Sequence, residues 1–275
     1  MEKILLERKS NYIRKRIVDL VYNSQTGHIG GSLSSIDVIV ALYYHLMNID
    51  PKDPENSERD RFVLSKGHCV EGYYCTLADR GFFDNEELRT FSAFGTRLIG
   101  HPNREIPGVE MNTGALGHGL ACACGMALSA KLNGQSYRVY TLMGDGELAE
   151  GSIWEAAMFA SNYSLDNLYA MIDRNRLQIS GPTERTMKLE PLKAKWEAFG
   201  FYVLEVDGND MPQIIDAFEK LYAVKGKPKL LLLDTTKGKG VSYMENKAEW
   251  HHGELTKEQW EQAKTDLEQK EKEIV

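Results

Sequence analysis

At 275 residues, with 42% hydrophobic and 27% charged side chains, the chain is long enough to bury a full core and has the composition of an ordinary globular protein. Its net charge of −7 comes without any basic tract, which argues against a nucleic-acid partner. No continuous apolar stretch suggests a membrane span, and the charged start, Met1 to Ser10, lacks a signal-peptide core. A cytoplasmic protein with no membrane association and four reduced cysteines is therefore expected.

In chain order, apolar spacing predicts an amphipathic helix over Glu2 to Tyr22, then a glycine-rich loop, Thr26-Gly27-His28-Ile29-Gly30-Gly31. Ser34 to Met47 reads as a second helix, and Phe62-Val63-Leu64 as a short strand that runs into Ser65-Lys66-Gly67-His68. Helices are expected at Val70 to Arg80 and Asn85 to Ser92, with an irregular, loop-like stretch from Gly95 to Gly114. The alanine- and glycine-rich segment Leu116 to Leu132 reads as a deeply buried helix. A strand (Val139 to Met143), a helix (Gly151 to Tyr163) and a strand (Leu168 to Ile172) follow. Helices at Pro191 to Phe199 and Met211 to Val224 then alternate with strands at Phe201 to Val206 and Leu230 to Asp234, before a charged helix from Glu254 to Lys272. The pattern predicts an α/β fold, a doubly wound, mostly parallel sheet with helices on both faces, as a single domain over residues 1–275.

The central strand, helix, strand order makes its two strands parallel and delivers the residues that follow them, Gly144-Asp145-Gly146 and Asn175-Arg176-Leu177, to one carboxyl edge of the sheet. A carboxylate, an amide oxygen and a nearby main-chain carbonyl suit a hard cation such as magnesium, which keeps open positions for phosphate oxygens. The glycines let the backbone approach such a ligand. Asp-Gly is also a common turn dipeptide, so this pattern alone leaves a plain loop as the competing account. Seven histidines are present, and His28, His68, His101 and His118 each follow a glycine. Imidazoles in glycine-flanked loops make poor core residues and useful hydrogen-bonding groups beside a ligand. None shows the short helical spacing of a zinc site.

Taken together, Thr26-Gly27-His28, Leu64-Ser65-Lys66-Gly67-His68, Gly100-His101-Pro102, Thr113-Gly114-Ala115-Leu116-Gly117, Gly144-Asp145-Gly146 with Glu150-Gly151, Asn175-Arg176-Leu177-Gln178, Thr236-Lys237-Gly238-Lys239-Gly240 and His252-Gly253 run in one order through nearly the whole chain. In this the chain resembles the N-terminal, diphosphate-binding half of transketolases, and most closely the separate N-terminal subunit of split transketolases. The resemblance implies thiamine diphosphate as cofactor, with Asp145, Asn175 and the Leu177 carbonyl holding magnesium, or calcium or manganese in its place. It implies diphosphate and ring contacts from His68, Gly114, Leu116, Gly144, Gly146 and His252, and places His28, His68, His101 and His252 toward the sugar as the catalytic histidines. Glu150 would stand near the contact between two cofactor sites, or simply favour a helix dipole. Lys237 and Lys239 read as phosphate-neutralising or, by a narrow preference, solvated. His118 and Ser180 depart from the glutamine and aspartate common in relatives, which leaves sugar specificity open.

The implied activity is transfer of a two-carbon ketol unit from a ketose phosphate to an aldose phosphate, as in the pentose phosphate pathway. The glutamate that activates the cofactor belongs, in this family, to a pyrimidine-binding domain for which this chain has no residues left. A separate C-terminal subunit carrying that domain, in an α2β2 assembly, is therefore expected. The alternatives are a subunit of another thiamine-diphosphate enzyme (an unusual-sugar transketolase, a deoxyxylulose-phosphate synthase or a 2-oxo-acid dehydrogenase) and a non-catalytic diphosphate-binding module.

Overall fold

The computed structural model describes residues 2–274; Met1 and Val275, the ends of the expected domain, lie outside the described residues. The first half comprises α1 (Lys3–Ser24), α2 (Ile29–Ala41) continued by one wide turn (Leu42–Leu46), β1 (Arg61–Leu64), α3 (Val70–Arg80), a 3-10 turn (Asn85–Thr90) and α4 (Gly119–Leu132). After these come β2 (Val139–Gly144), α5 (Gly151–Asn162), β3 (Leu168–Arg174), a small hairpin of β4 (Leu177–Gln178) and β5 (Gly181–Pro182), and the short α6 (Thr183–Thr186). The chain ends with α7 (Leu192–Ala198), β6 (Tyr202–Asp207), α8 (Met211–Ala223), β7 (Lys229–Asp234) and α9 (Lys257–Glu273).

The five long strands form one sheet in the order β1-β2-β3-β7-β6, and every neighbouring pair is parallel. Parallel strands need crossovers, and the helices supply them on both faces. One face packs α1, α2, α3 and α8 against Phe62, Leu64, Tyr140, Leu142, Met171, Leu231 and Leu233. The other packs α4, α5 and α7 against Val63, Val139, Met143, Ala170, Ile172, Leu230 and Leu232. Alternation along each strand divides the two cores, and central β3, covered on both sides, is buried along its whole length. The chain leaves β1 for α3 on the first face and β2 for α5 on the second, so a crevice opens at the carboxyl ends between them.

Three expectations change in the structure. The second helix begins at Ile29, so Gly30 and Gly31 form its first turn rather than a loop. Their place there follows from close packing: a Cβ on Gly30 would lie 2.4 Å from the Trp250 carbonyl oxygen, and one on Gly31 2.3 Å from Cys69 Sγ. The small-residue helix α4 is buried on one side only, with Ala121, Gly125 and Ser129 outside the core and Leu132 at 78% exposure. Finally, Ile29–Leu46 has the length and mean hydropathy of a membrane span, yet 83% of it is inside the fold as a core helix.

Candidate functional site: a cavity at the carboxyl edge of the sheet

Register brings the two sequence signals together. Gly144, the last residue of β2, pairs with Asp173 of β3, and the Asp145 N–H donates to the Asp173 carbonyl. Asp145 therefore sits beside the turn that carries Asn175. Both, with Leu177, line a cavity of about 290 Å³ that also takes in His28, Lys66, His68, Gly114, Leu116, Gly144, Gly146, Lys237 and His251. Asp145 is 2% exposed. Its Oδ1 accepts from the Gly146 N–H at 2.7 Å, and its Oδ2 from the Arg176 N–H at 2.6 Å and from Arg174 Nη1 at 3.2 Å. Burial and the neighbouring Asp173 raise its pKa to about 6.

The cavity floor is a buried ion pair that sequence reasoning passed over. Asp173, fully buried, accepts from Lys66 Nζ, from Ser34 Oγ at 2.7 Å, from Thr235 Oγ1 and from Asn175 Nδ2 at 3.0 Å. Burial alone would raise its pKa; the Lys66 ammonium and the hydrogen bonds outweigh that and hold it below the usual range. The same pairing, against burial, lifts Lys66. Because Asp173 takes the amide nitrogen of Asn175, the side-chain oxygen of Asn175 faces the other way, where it accepts from the Leu177 N–H at 3.1 Å. Glu147 is a second unforeseen carboxylate: it accepts from Ser65 Oγ, the Gly117 N–H at 2.9 Å and the Gly144 N–H at 3.0 Å, tying the loops after β1, before α4 and after β2 into one frame. Asp173 had a legible signal, a charge inside an apolar strand; Glu147 had none beyond its place after Gly-Asp-Gly.

The mouth is built from imidazoles. Around His28 stand His252, His68, His251 and His101, with ring centroids 4.6, 5.1, 5.5 and 6.3 Å away, and His68 stacks on His251 at 5.2 Å. Gly114 permits this approach: it has φ +139°, and a Cβ there would lie 2.6 Å from His101 Cδ2. The His28 N–H donates at 2.7 Å to Glu71, a buried carboxylate that also takes Ser32 Oγ and so fixes the loop entering α2. Burial, reinforced by the neighbouring imidazoles, pushes His28 down to about 3. Burial together with Lys237 and Lys66 pushes His251 down to about 4, and burial with Lys66 lowers His68. Burial also lowers His101. These rings are neutral at physiological pH, each with one donor and one acceptor nitrogen.

Of the residues singled out in the sequence, His28, His68, Gly114, Leu116, Gly144, Asp145, Gly146, Asn175 and Leu177 line the cavity. His101 and His252 belong to the imidazole cluster at its mouth; His252 is exposed, its Nε2 3.3 Å from Thr26 Oγ1, and its neighbour His251 is the one that enters the cavity. Glu150 is exposed at the start of α5, outside the lining. His118 caps α4 on the surface, and Ser180 sits in the β4–β5 turn, accepting from Gln178 Nε2 at 3.0 Å. Lys237 is buried at 2% exposure rather than solvated.

The family description "Transketolase, thiamine diphosphate binding domain" matches residues 6–274. The chain is a member of the transketolase family. It is 54% identical over 263 residues to one subunit of an apulose-4-phosphate transketolase of Phocaeicola vulgatus, covering 96% of this chain and 94% of that one. It is 45% identical over 268 residues to a 6-deoxy-6-sulfo-D-fructose transketolase subunit from a Clostridium species, covering 97% and 98%. Among solved structures, transketolase from Campylobacter jejuni superposes with a TM-score of 0.92 at 33% identity, covering 98% of this chain but 43% of that one. The chain thus spans less than half the length of that transketolase and nearly the full length of the two separate subunits.

The donors at the cavity also fit a diphosphate-bridging cation. Asp145, Asn175 and Leu177, all on one lining, offer hard oxygen donors of the kind such a cation takes. Among the described residues, no group of three or more histidine, cysteine or acidic side chains forms a competing metal site.

Proposed function

We propose that this chain is the thiamine-diphosphate-binding subunit of a split transketolase and works only with a separate C-terminal subunit carrying the pyrimidine-binding domain, two of each forming two sites. What carries the reading is one juxtaposition: oxygen donors from two parallel strand ends share a cavity whose mouth is a cluster of imidazoles. Near-complete coverage of subunits that relatives carry as separate chains supports the partner.

When bound, the cofactor would supply the electron sink for cleaving a ketose between its second and third carbons. Asp145, Asn175 and the Leu177 carbonyl would hold magnesium and through it the diphosphate, while Gly144 and Gly146 leave room for phosphate oxygens. Asp173 and Glu147 keep those strand ends fixed, so little reorganisation accompanies loading. His28, His68, His101 and His252 would accept and return protons at the sugar hydroxyls. The neutral state of His28, His68 and His101 makes either role available there without a charge change in advance. The test is assembly: the chain mixed with magnesium, thiamine diphosphate, xylulose 5-phosphate and ribose 5-phosphate should show no turnover, and adding the partner subunit should restore it. Turnover by the chain alone would overturn the proposed division of the site.

A narrower reading concerns the donor. Two similar subunits are named for apulose 4-phosphate and a third for a sulfonated sugar, so a branched or sulfonated ketose is a donor to set against xylulose 5-phosphate. Comparing kcat/KM for these donors in the reconstituted complex decides between them.

A further inference from the structure

β3 ends in a buried arginine. Side chains alternate along a strand, so Asp173 turns toward Lys66 and Ser34 while Arg174 leaves on the other face. Arg174 is 4% exposed, and its guanidinium faces two ways at once. Nη1 donates to Asp145 Oδ2 at 3.2 Å and to Thr183 Oγ1 at 2.7 Å; Nη2 donates to Glu184 Oε1 and Glu190 Oε1, each at 3.0 Å. Those glutamates are fastened in turn: Glu184 Oε1 accepts the Leu189 N–H at 3.0 Å, and Glu190 Oε2 the Leu192 N–H at 2.9 Å. The fork is thereby pinned to the segment that runs from Thr183 to Leu192 and cannot swing with Asp145. A planar, permanently charged guanidinium suits such a fixed contact at several points. An ionised carboxylate offers about four lone-pair positions, shared equally by its two oxygens. On Asp145, Oδ2 has both positions taken, by Arg174 and by the Arg176 N–H, whereas Oδ1 has one taken, by the Gly146 N–H. The remaining position is on Oδ1.

We propose that Arg174 is a positioning residue that confines Asp145 to meeting a cation through one oxygen, and so selects a small octahedral ion such as magnesium over calcium. The inference rests on the reading of Asp145 as a cation ligand at a diphosphate site. Magnesium demands a near-octahedral shell at short range, whereas calcium takes more oxygens and accepts both from one carboxylate. With Oδ2 held by Arg174, that second mode is closed. Three carboxylates around one guanidinium leave the group negative, so a divalent cation arriving at Asp145 meets no net repulsion from it.

The test is calorimetric titration of the full chain, held in excess thiamine diphosphate, with magnesium and separately with calcium. Arg174→Met keeps much of the bulk and frees Oδ2, so the ratio of magnesium to calcium affinity should fall about 10-fold. Arg174→Lys keeps the buried charge, and with it the fold. An ammonium cannot hold Thr183, two glutamates and Asp145 together, so the ratio should fall about 3-fold. Arg176→Met is the control: its guanidinium pairs with Asp234, outside this lining, and the ratio should change less than about 2-fold. A purely structural arginine would weaken both cations alike. Equal loss for the two ions, a ratio that rises, or a fall of the same size in Arg176→Met overturns the role of Arg174 and leaves the cofactor reading standing. Absence of cation-dependent binding by the unaltered chain overturns both.

Discussion

The strand-end side of the cavity and its histidine side are built on opposite plans. At the strand ends, Asp145, Asp173, Glu147 and Asn175 are buried and each makes two or more hydrogen bonds to fixed partners. At the mouth, His28, His68, His101, His251 and His252 come from loops, and their rings touch one another more than they touch the frame. Rigid, satisfied groups suit holding a cation and a diphosphate in one place. Imidazole rings with spare donor and acceptor capacity suit a substrate whose protons must move. On the proposed function, one side positions and the other reacts.

The most damaging way to break the positioning side is Asp145→Ala. It removes the charged oxygen donor while leaving its neighbours, so magnesium-dependent binding of thiamine diphosphate should fall beyond detection in a fluorescence or calorimetric titration. Retained affinity would refute the ligand assignment. Next comes Asp173→Asn, which strips the partner from a lysine that is 1% exposed. Breaking a buried pair on one side costs about 3–5 kcal/mol, so urea denaturation should show a loss of that order. A change below about 1 kcal/mol would mean that the pair does not support the cavity floor.

The histidine side is sharpened by pH. Both His28 and His251 have folded-state values depressed, to about 3 and about 4, from an unfolded value of 6.5. As pH falls through 6.5 the unfolded chain takes up protons that the folded chain refuses, so these rings lower stability progressively toward pH 4. Both are partly solvent-accessible, and the effect is smaller than the depressions alone suggest. The unaltered chain should lose stability between about pH 6.5 and 4.5 more steeply than the double variant His28→Asn, His251→Asn. Parallel stability curves would show that the rings are not held neutral by the fold.

Legibility in the sequence followed the same division. The parallel sheet and the meeting of Asp145 with Asn175 could be read because a strand, helix, strand run fixes both direction and edge, whatever the loops do. The glycine-flanked histidines could be found as a set, but not their arrangement. Which of His251 and His252 turns inward depends on the turn at Ala248–His251, tied to the distant Gly27 carbonyl by the Gly253 N–H and packed through the Trp250 carbonyl against Gly30. Lys237 was misjudged for a related reason: a lysine just past a strand usually reaches solvent, and here the first turn of α2 and the segment around Trp250 close over it. Gly30 and Gly31 looked like loop residues because glycine is a poor helix former. Packing against Trp250 and Cys69 overrides that preference, and no local pattern announces contacts so far along the chain.

The smallest effect on the chain itself is expected at Glu150, and that makes it informative. It is exposed, outside the cavity, and makes no side-chain cap on α5. Its Cβ lies close to Gly117, where an added Cβ would be 2.6 Å away, so it borders the loop that Glu147 fastens without supporting it. Glu150→Ala should therefore change stability in urea by less than about 0.5 kcal/mol and leave pyrophosphate binding to the chain unchanged. If Glu150 joins two cofactor sites, as the family resemblance implies, its loss appears only after assembly, as a lower kcat or weaker association in the reconstituted complex. Unchanged turnover and association would reduce it to a glutamate at the N-terminus of α5 favoured by the helix dipole, and the link between sites would have to run through other residues.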